Sequence, residues 1–150
     1  MAAKGAKKMT SWKFTLPLEN NGVEVWDTCK KLWVACFGYE LPHDKRRKVE
    51  ANSRCKEMEE GDYIFAYNLG GIIGGYGKVI ENYDENNNVP IVDTKGREAG
   101  RHHIKVRWEK IEEIDIKGKN IWDFFRNHCR NLIHKIPDNR CKELLDYFGA

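Results

Sequence analysis

The stretch of sequence that decides the fold covers residues 62–83, DYIFAYNLGGIIGGYGKVIENY. Two runs rich in aromatic and β-branched residues, at 63–67 and 72–83, flank the sequence NLGG at 68–71. Alternating apolar runs around a short glycine-containing turn are typical of two paired β-strands. The centre of the chain is therefore predicted to form a β-hairpin.

The second strand of this hairpin contains three glycines, Gly74, Gly75 and Gly77. Glycines inside a strand indicate bulges, or the close approach of another element. They do not form a phosphate-binding loop, because Lys78 is followed by Val79 instead of Ser or Thr, and no helix is expected to open after them. The cluster favours a bulged strand.

Further elements are predicted on both sides of the hairpin. Before it we expect a disordered tail at 1–10, a short strand at 11–18, a helix at 23–31, a β-prone stretch at 33–38 and an exposed helix at 44–60. After it we expect a short strand at 89–92, an alternating strand at 103–111, a helix over 121–136, and a final helix after Pro137 that Asp138 or Asn139 caps. Residues 11–150 are thus predicted to form one α+β domain.

The composition indicates a folded chain of one domain. It has 150 residues, of which 41% are hydrophobic and 11% aromatic, and this is more apolar than disordered chains are. No apolar run reaches the length of a membrane span and no signal-peptide pattern opens the chain, so we expect a cytoplasmic protein. Its five cysteines form no CxxC or CxxH pair, so neither a metal nor another cofactor is expected.

Basic residues cluster locally, although the net charge is only +3. One cluster lies in HDKRRK at 43–48, and a second is spread over 119–142. Segregated positive charge suits a polyanion, because each neutralised phosphate releases counterions. A nucleic-acid partner is one interpretation. A protein-interaction module is a second, and a small hydrolase that uses His102 or His103 as a base is a third.

The order of the segments resembles the YTH and EVE branches of the PUA-like superfamily. The resemblance is carried by KLWVA, by GDYIFAY followed by GGIIGGYGKV, by IKVRWEKI and by IPDNRCKELL, and it covers residues 20–148. It implies a PUA-like fold, with a small curved β-sheet or pseudo-barrel and flanking helices. It also implies a non-catalytic reader of a modified base, N6-methyladenine or a modified cytosine, in RNA or DNA. Such domains occur in McrBC-like restriction systems, which adds an AAA+ or nuclease partner to the expectation.

The resemblance assigns roles to individual residues. Trp33 in KLWVA matches the Trp that forms one wall of the YTH base cage, and Asn20 or Asn21 lies near an Asn that contacts the base edge. Asp138 and Arg140 in PDNR match a polar base contact and a phosphate contact.

The sequence departs from the YTH pattern at the second wall of the cage. YTH domains take a second Trp from the segment before the KVRW-type strand, where this chain has Arg101, His102 and His103. The candidates to replace it are Tyr83, His102 and Trp26. The remaining basic residues expected to hold phosphates are Lys45, Arg46, Arg47, Arg126 and Arg130.

Overall fold

The computed structural model describes residues 10–16, 20–37, 56–68, 70–82, 91–92, 98–100, 102–127 and 133–150. The strands in these ranges are β1 (Ser11–Thr15), β2 (Val34–Phe37), β3 (Tyr63–Asn68), β4 (Ile72–Val79), β5 (Ile91–Val92), β6 (Glu98–Gly100), β7 (His102–Asp115) and β8 (Ile133–Ile136). The helices are α1 (Asn20–Leu32), α2 (Trp122–Asn127) and α3 (Asp138–Tyr147).

Six of the strands form one curled sheet in the order β2-β7-β4-β3-β1-β8. β1 and β3 run parallel, and the other neighbours in this sheet are antiparallel. The sheet curls into a half-barrel, so that β1 approaches β2. β5 and β6 pair separately as a two-stranded ribbon. The predicted α+β architecture with a small curved sheet and flanking helices is confirmed.

Helices cover both faces of the sheet, so the side chains of β3 are apolar on both faces. Ile64 and Ala66 pack in a core with residues of α1, while Phe65 and Tyr67 pack in a second core with residues of α2 and α3. Successive side chains of a strand point to opposite faces, so a central strand between two cores has no solvent-facing side. This explains the continuous apolar run at the start of the decisive stretch.

Asp62, which precedes β3, is a buried carboxylate with a structural role. Its Oδ2 accepts hydrogen bonds from the indole Nε1–H of Trp12 at 3.0 Å and from the backbone N–H of Glu59 at 3.0 Å. Its Oδ1 accepts from the backbone N–H of Thr10 at 3.2 Å. A buried charge is tolerated when donors satisfy it in this way. Asp62 thereby ties β1 to the turn that leads into β3.

The glycines of β4 do what their position in the strand predicts. A Cβ on Gly74 would lie 3.0 Å from Nε1 of Trp26, and one on Gly75 would lie 2.7 Å from the carbonyl oxygen of Lys110. The register between β4 and β7 also shifts twice along the strand. Both the bulges and the close approach of another element are confirmed.

Two predictions about the C-terminal part of the chain are wrong. The helix expected over 121–136 ends at Asn127 as α2, and Ile133–Ile136 is a strand. β8 forms the sheet edge beside β1, with Ile133 in one core and Ile136 in the other. Pro137 also disfavours a helical conformation for the residue that precedes it. The final helix has Pro137 at its N-cap, with no side-chain hydrogen bond to cap it.

The helix predicted over 44–60 is described only at its end. Residues 56–60 form turns instead of a helix. Met58, which the sequence pattern places on an exposed helix, is 1% exposed in the core around α1. Residues 44–55 lie outside the described part of the chain.

The remaining boundaries agree with the sequence pattern to within a few residues. The helix predicted at 23–31 is α1, the strand predicted at 103–111 is β7, and the strand predicted at 72–83 ends at Val79. Cys29 and Cys141 are free, buried thiols. Among the described residues, no helix is both long and apolar enough to cross a membrane.

Candidate nucleic-acid interface

Trp33 is a large aromatic residue exposed at the junction of α1 and β2. Its side chain keeps 49% of its surface accessible. Its backbone φ is 59°, in the left-handed region. Its carbonyl oxygen accepts a hydrogen bond from the backbone N–H of Val106 at 2.9 Å, which holds the turn against β7. The indole is therefore presented to solvent by a fixed backbone.

The left-handed conformation of Trp33 is unfavourable for this residue type. A side chain with a Cβ costs about 1–2 kcal/mol in this region, and for bulky residues it is a rare outlier. Glycine would adopt it without strain. Strained residues cluster at functional sites, so the geometry itself marks Trp33 as a candidate for ligand contact.

The surface beside Trp33 combines apolar and basic side chains. Leu32 is 48% exposed, and Lys30 and Lys31 occupy the last turn of α1. Lys30 is paired with Asp27 at 3.1 Å, and Lys31 is exposed. An aromatic platform next to cations is what a base and its phosphate require.

Trp26, which lies within α1, has core contacts. Its ring packs edge-on against Trp108, with centroids 4.8 Å apart, and lies 6.5 Å from Phe14. Trp108 itself donates from Nε1 to the carbonyl oxygen of Cys29 at 3.1 Å. Trp26 thus fills the space between α1 and the glycines of β4.

The C-terminal candidates lie at the start of α3. Asp138 is the first residue of this helix and is exposed. Arg140 forms ion pairs with Asp123 at 3.4 Å and with Glu143 at 3.3 Å, so two carboxylates already balance its charge. Arg126 lies exposed in the last turn of α2.

The other candidates cannot be assigned contacts. Asn21 lies in the first turn of α1 and His102 opens β7, but their side chains are not described. The candidates that lie outside the described residues are Tyr83, Lys45, Arg46, Arg47 and Arg130.

A row of polar side chains crosses the sheet at a place that the sequence did not reveal. Tyr63 on β3 is the register partner of Lys78 on β4. Lys78 is in turn the register partner of Arg107 on β7. Nζ of Lys78 lies 5.3 Å from the centroid of the Tyr63 ring. The alternation in IKVRWEKI predicts that Arg107 is exposed, but its partner across the sheet depends on register, which bulges shift.

His103 extends the same strand face toward β2. Within the described part of the chain, its buried Nδ1 has no hydrogen-bond partner. Burial, and secondarily the charge of Lys105, lowers the pKa of His103 below its ordinary value of 6.5. The imidazole is therefore neutral at neutral pH.

The described residues contain no group of three or more His, Cys, Asp or Glu side chains able to hold a metal.

Comparison with known proteins relates this architecture to YTH domains. No protein-family model and no curated protein matches the sequence. Solved structures do match. The YTH domain of Zygosaccharomyces rouxii MRB1 protein, in complex with N6-methyladenosine RNA, has a TM-score of 0.63 at 14% identity, over 95% of this chain and 88% of that one. The Pho92 YTH domain, in complex with m6A, has a TM-score of 0.58 at 12% identity, over 95% and 87% of the two chains.

A bacterial structure shares the fold as well. Rpa0253 from Rhodopseudomonas palustris has a TM-score of 0.58 at 15% identity, over 89% of each chain. At these identities the likeness shows the fold: the chain has a YTH-type architecture along nearly its whole length.

Proposed function

We propose that this domain binds a nucleic-acid strand and recognises one modified base, N6-methyladenine or a modified cytosine, in an aromatic site built on Trp33. The likeness to YTH domains, two of them in complex with N6-methyladenosine or RNA that carries it, supports this class of ligand. The domain itself carries out no reaction in this proposal. Its role is recognition.

The observation that carries the proposal is the conformation and exposure of Trp33. A half-exposed indole on a left-handed residue contributes little to the core and costs conformational energy. A base stacked on it would use the exposed face, and base–aromatic stacking is worth about 1–3 kcal/mol. Ligand binding is thus the simplest reason for this side chain at this position.

The rest of the site follows from what a modified base needs. Stacking alone does not distinguish bases, so polar groups must contact the base edge. Asn21 and Asp138 are the proposed edge contacts, and Tyr83 or His102 is the proposed second wall. Trp26, with its core contacts to Trp108, supports α1 beneath the site in this arrangement.

Cations are proposed to hold the phosphates on both sides of the base. Phosphate contacts fix the position of the strand without reading its sequence. Arg140 contributes less than an unpaired arginine would, because Asp123 and Glu143 compete for it. The proposed phosphate contacts are Lys45, Arg46, Arg47, Arg126, Arg130 and Arg140.

A domain that only recognises a base must act through another activity. We propose that an AAA+ or nuclease partner supplies that activity. The domain and its partner would act inside the cell. A complex of this kind would couple recognition of the modified base to a reaction on the nucleic acid.

The proposal is tested by titration of fluorescent oligonucleotides with wild type, Trp33→Ala and Ile111→Ala. Ile111 is the matched control, because it is a large apolar residue exposed to 52% on β7. The probes are single-stranded RNA and DNA, each unmodified or with one N6-methyladenine or 5-methylcytosine. Wild type is expected to prefer one modified probe, and Trp33→Ala to lose about tenfold or more of that affinity.

Retention of the preference by folded Trp33→Ala would refute the site. Equal binding of all probes by wild type would refute base recognition and leave a polyanion-binding surface. An unchanged affinity in Ile111→Ala is expected, since Ile111 is five residues along β7 from Val106, the residue that bonds to Trp33.

A further inference from the structure

Trp33 is the single residue that joins α1 to β2. The helix ends at Leu32 and the strand begins at Val34, so the chain changes from helix to strand across one position. Helices often end in a left-handed residue when the turn is this short, and that residue is usually glycine. A tryptophan keeps such a conformation only where the surrounding structure imposes it.

Two hydrogen bonds from β7 restrain the segments on either side of this joint. On the strand side, the backbone N–H of Val106 donates to the carbonyl oxygen of Trp33 at 2.9 Å. On the helix side, Nε1–H of Trp108 donates to the carbonyl oxygen of Cys29 at 3.1 Å. Cys29 lies four residues before Trp33, and an α-helix points the carbonyl of residue i at the N–H of residue i+4. The Trp108 bond therefore reaches the helical turn that leads into Trp33.

Trp108 is itself held in one orientation. It is buried in the core between the sheet and α1, where the ring of Trp26 packs edge-on with centroids 4.8 Å apart and the ring of Phe14 lies at 6.0 Å. Trp108 and Val106 are two residues apart on β7, so their side chains point to the same face of the sheet. In a close-packed core the indole cannot turn its N–H away from Cys29 without moving its neighbours.

We infer that Trp108 is a positioning residue of the base site: its indole N–H, together with the backbone N–H of Val106, holds Trp33 in the left-handed conformation that presents its indole to the ligand. Trp108 does not touch the ligand in this inference. A strained residue persists where its surroundings over-determine it, and the two bonds supply that restraint on both sides of Trp33. The inference rests on the proposed function for the identity of the ligand.

The restraint should raise affinity by preparing Trp33 before the ligand arrives. Without the bond on the helix side, Trp33 relaxes toward the conformations that residues with a Cβ prefer. Only the molecules that keep the left-handed conformation then bind, so the apparent affinity falls in proportion to their fraction. Because that conformation is disfavoured by about fivefold or more, we expect a loss of affinity of about the same size.

The test is Trp108→Phe, which removes the N–H donor and keeps an aromatic ring in the core. Trp12→Phe is the matched control, because Trp12 is also buried and its Nε1–H also donates one hydrogen bond, to Asp62 at 3.0 Å. If Trp108→Phe does not fold, Trp108→3-benzothienylalanine replaces the N–H by sulfur in a ring of nearly the same shape.

Two measurements are made on each variant. The first is a titration with fluorescent single-stranded RNA and DNA, each unmodified or with one N6-methyladenine or 5-methylcytosine, in the wild-type and the Trp33→Ala background. The second is the NMR chemical shift of Cα and Cβ of Trp33 in the free protein, which depends on its backbone conformation and which a general loss of stability would not move.

Trp108→Phe is expected to lose about fivefold or more in affinity for the preferred modified probe, and its Trp33 shifts should move away from those of a left-handed residue. In the Trp33→Ala background the same substitution should leave the affinity unchanged, because two residues that act through one contact are not additive. Trp12→Phe should lose stability and keep the wild-type affinity and Trp33 shifts.

An unchanged affinity or unchanged Trp33 shifts in folded Trp108→Phe would overturn the inference. So would an equal loss of affinity in Trp12→Phe, or a further loss in the Trp33→Ala background, because Trp108 would then not act through Trp33. The outcome for the proposed function is separate. If wild type prefers no modified probe, base recognition fails, and the Trp33 shifts alone decide whether Trp108 holds Trp33.

Discussion

Trp26 and Trp33 are seven residues apart on the same segment, and the structure gives them opposite environments. Trp26 lies against Trp108 and over Gly74, where even a methyl group would be 3.0 Å from its Nε1. Trp33 follows the last residue of α1 in a left-handed conformation, with half of its surface exposed. The comparison teaches that one indole stabilises the fold, while the other is held in place by the fold at an energetic cost.

The largest expected effect comes from truncation of each indole. Trp26→Ala should lower the free energy of unfolding by about 3–5 kcal/mol, because it removes contacts between α1 and β4 and leaves a cavity. Trp33→Ala should lower it by less than about 1 kcal/mol, because half of the ring is already in water. Chemical denaturation of both variants measures the difference, and equal losses would contradict the comparison.

The next largest effect is expected from a substitution at Gly75, the β4 glycine that contacts Trp26. Gly75→Ala should cost about 1–3 kcal/mol through overpacking, since its Cβ would lie 2.7 Å from the Lys110 carbonyl oxygen and 3.3 Å from Cζ2 of Trp26. Gly118→Ala is the control, because a Cβ added there would meet no other atom within 4 Å. Thermal melts of the two variants should separate, and a stable Gly75→Ala would show that β4 and Trp26 can move apart.

These two predictions concern features that local sequence pattern indicates. The hairpin, the bulged glycine strand and the alternation around Trp108 follow from the residues themselves, because strand periodicity and glycine preferences act over a few positions. The strand at Ile133–Ile136 could not be found in this way. Its conformation depends on pairing with β1, more than a hundred residues earlier in the chain.

The candidate site was predictable in part. Trp33 could be chosen by its resemblance to a YTH cage residue, but its positive φ has no signal in the sequence, since left-handed turns usually take glycine or asparagine. The opposition of Lys78 and Arg107 depends on two shifts in register along β4. Register of this kind is set by the whole sheet.

A smaller effect tests the strain at Trp33. Trp33→Gly should be as stable as Trp33→Ala or more stable by up to about 1 kcal/mol, because glycine adopts a φ of 59° without a Cβ clash. Equilibrium unfolding of the two variants side by side provides the measurement. If the glycine variant is clearly the less stable one, the left-handed turn carries no strain.

The smallest effect is a dependence of stability on pH. Burial lowers the pKa of His103 in the folded state below 6.5, so below about pH 6.5 the unfolded chain takes up a proton that the folded one refuses. The free energy of unfolding should therefore fall as the pH drops below about 6.5, and part of that fall comes from this residue. His103→Gln should remove that part of the slope, and identical slopes in both proteins would contradict the assignment.

The central claim, that Trp33 and not Trp26 contacts the base, is tested most directly by NMR of the five Trp indole N–H groups. A short RNA with one N6-methyladenine, and then one with 5-methylcytosine, is added to the labelled protein, and Trp33→Phe assigns the Trp33 signal. The account predicts that one of the modified strands shifts the Trp33 signal far more than its unmodified twin does, while the signals of Trp12 and Trp108, whose N–H groups are bonded to Asp62 and to the Cys29 carbonyl, stay in place. A Trp33 signal that remains still while the modified strand binds would contradict it.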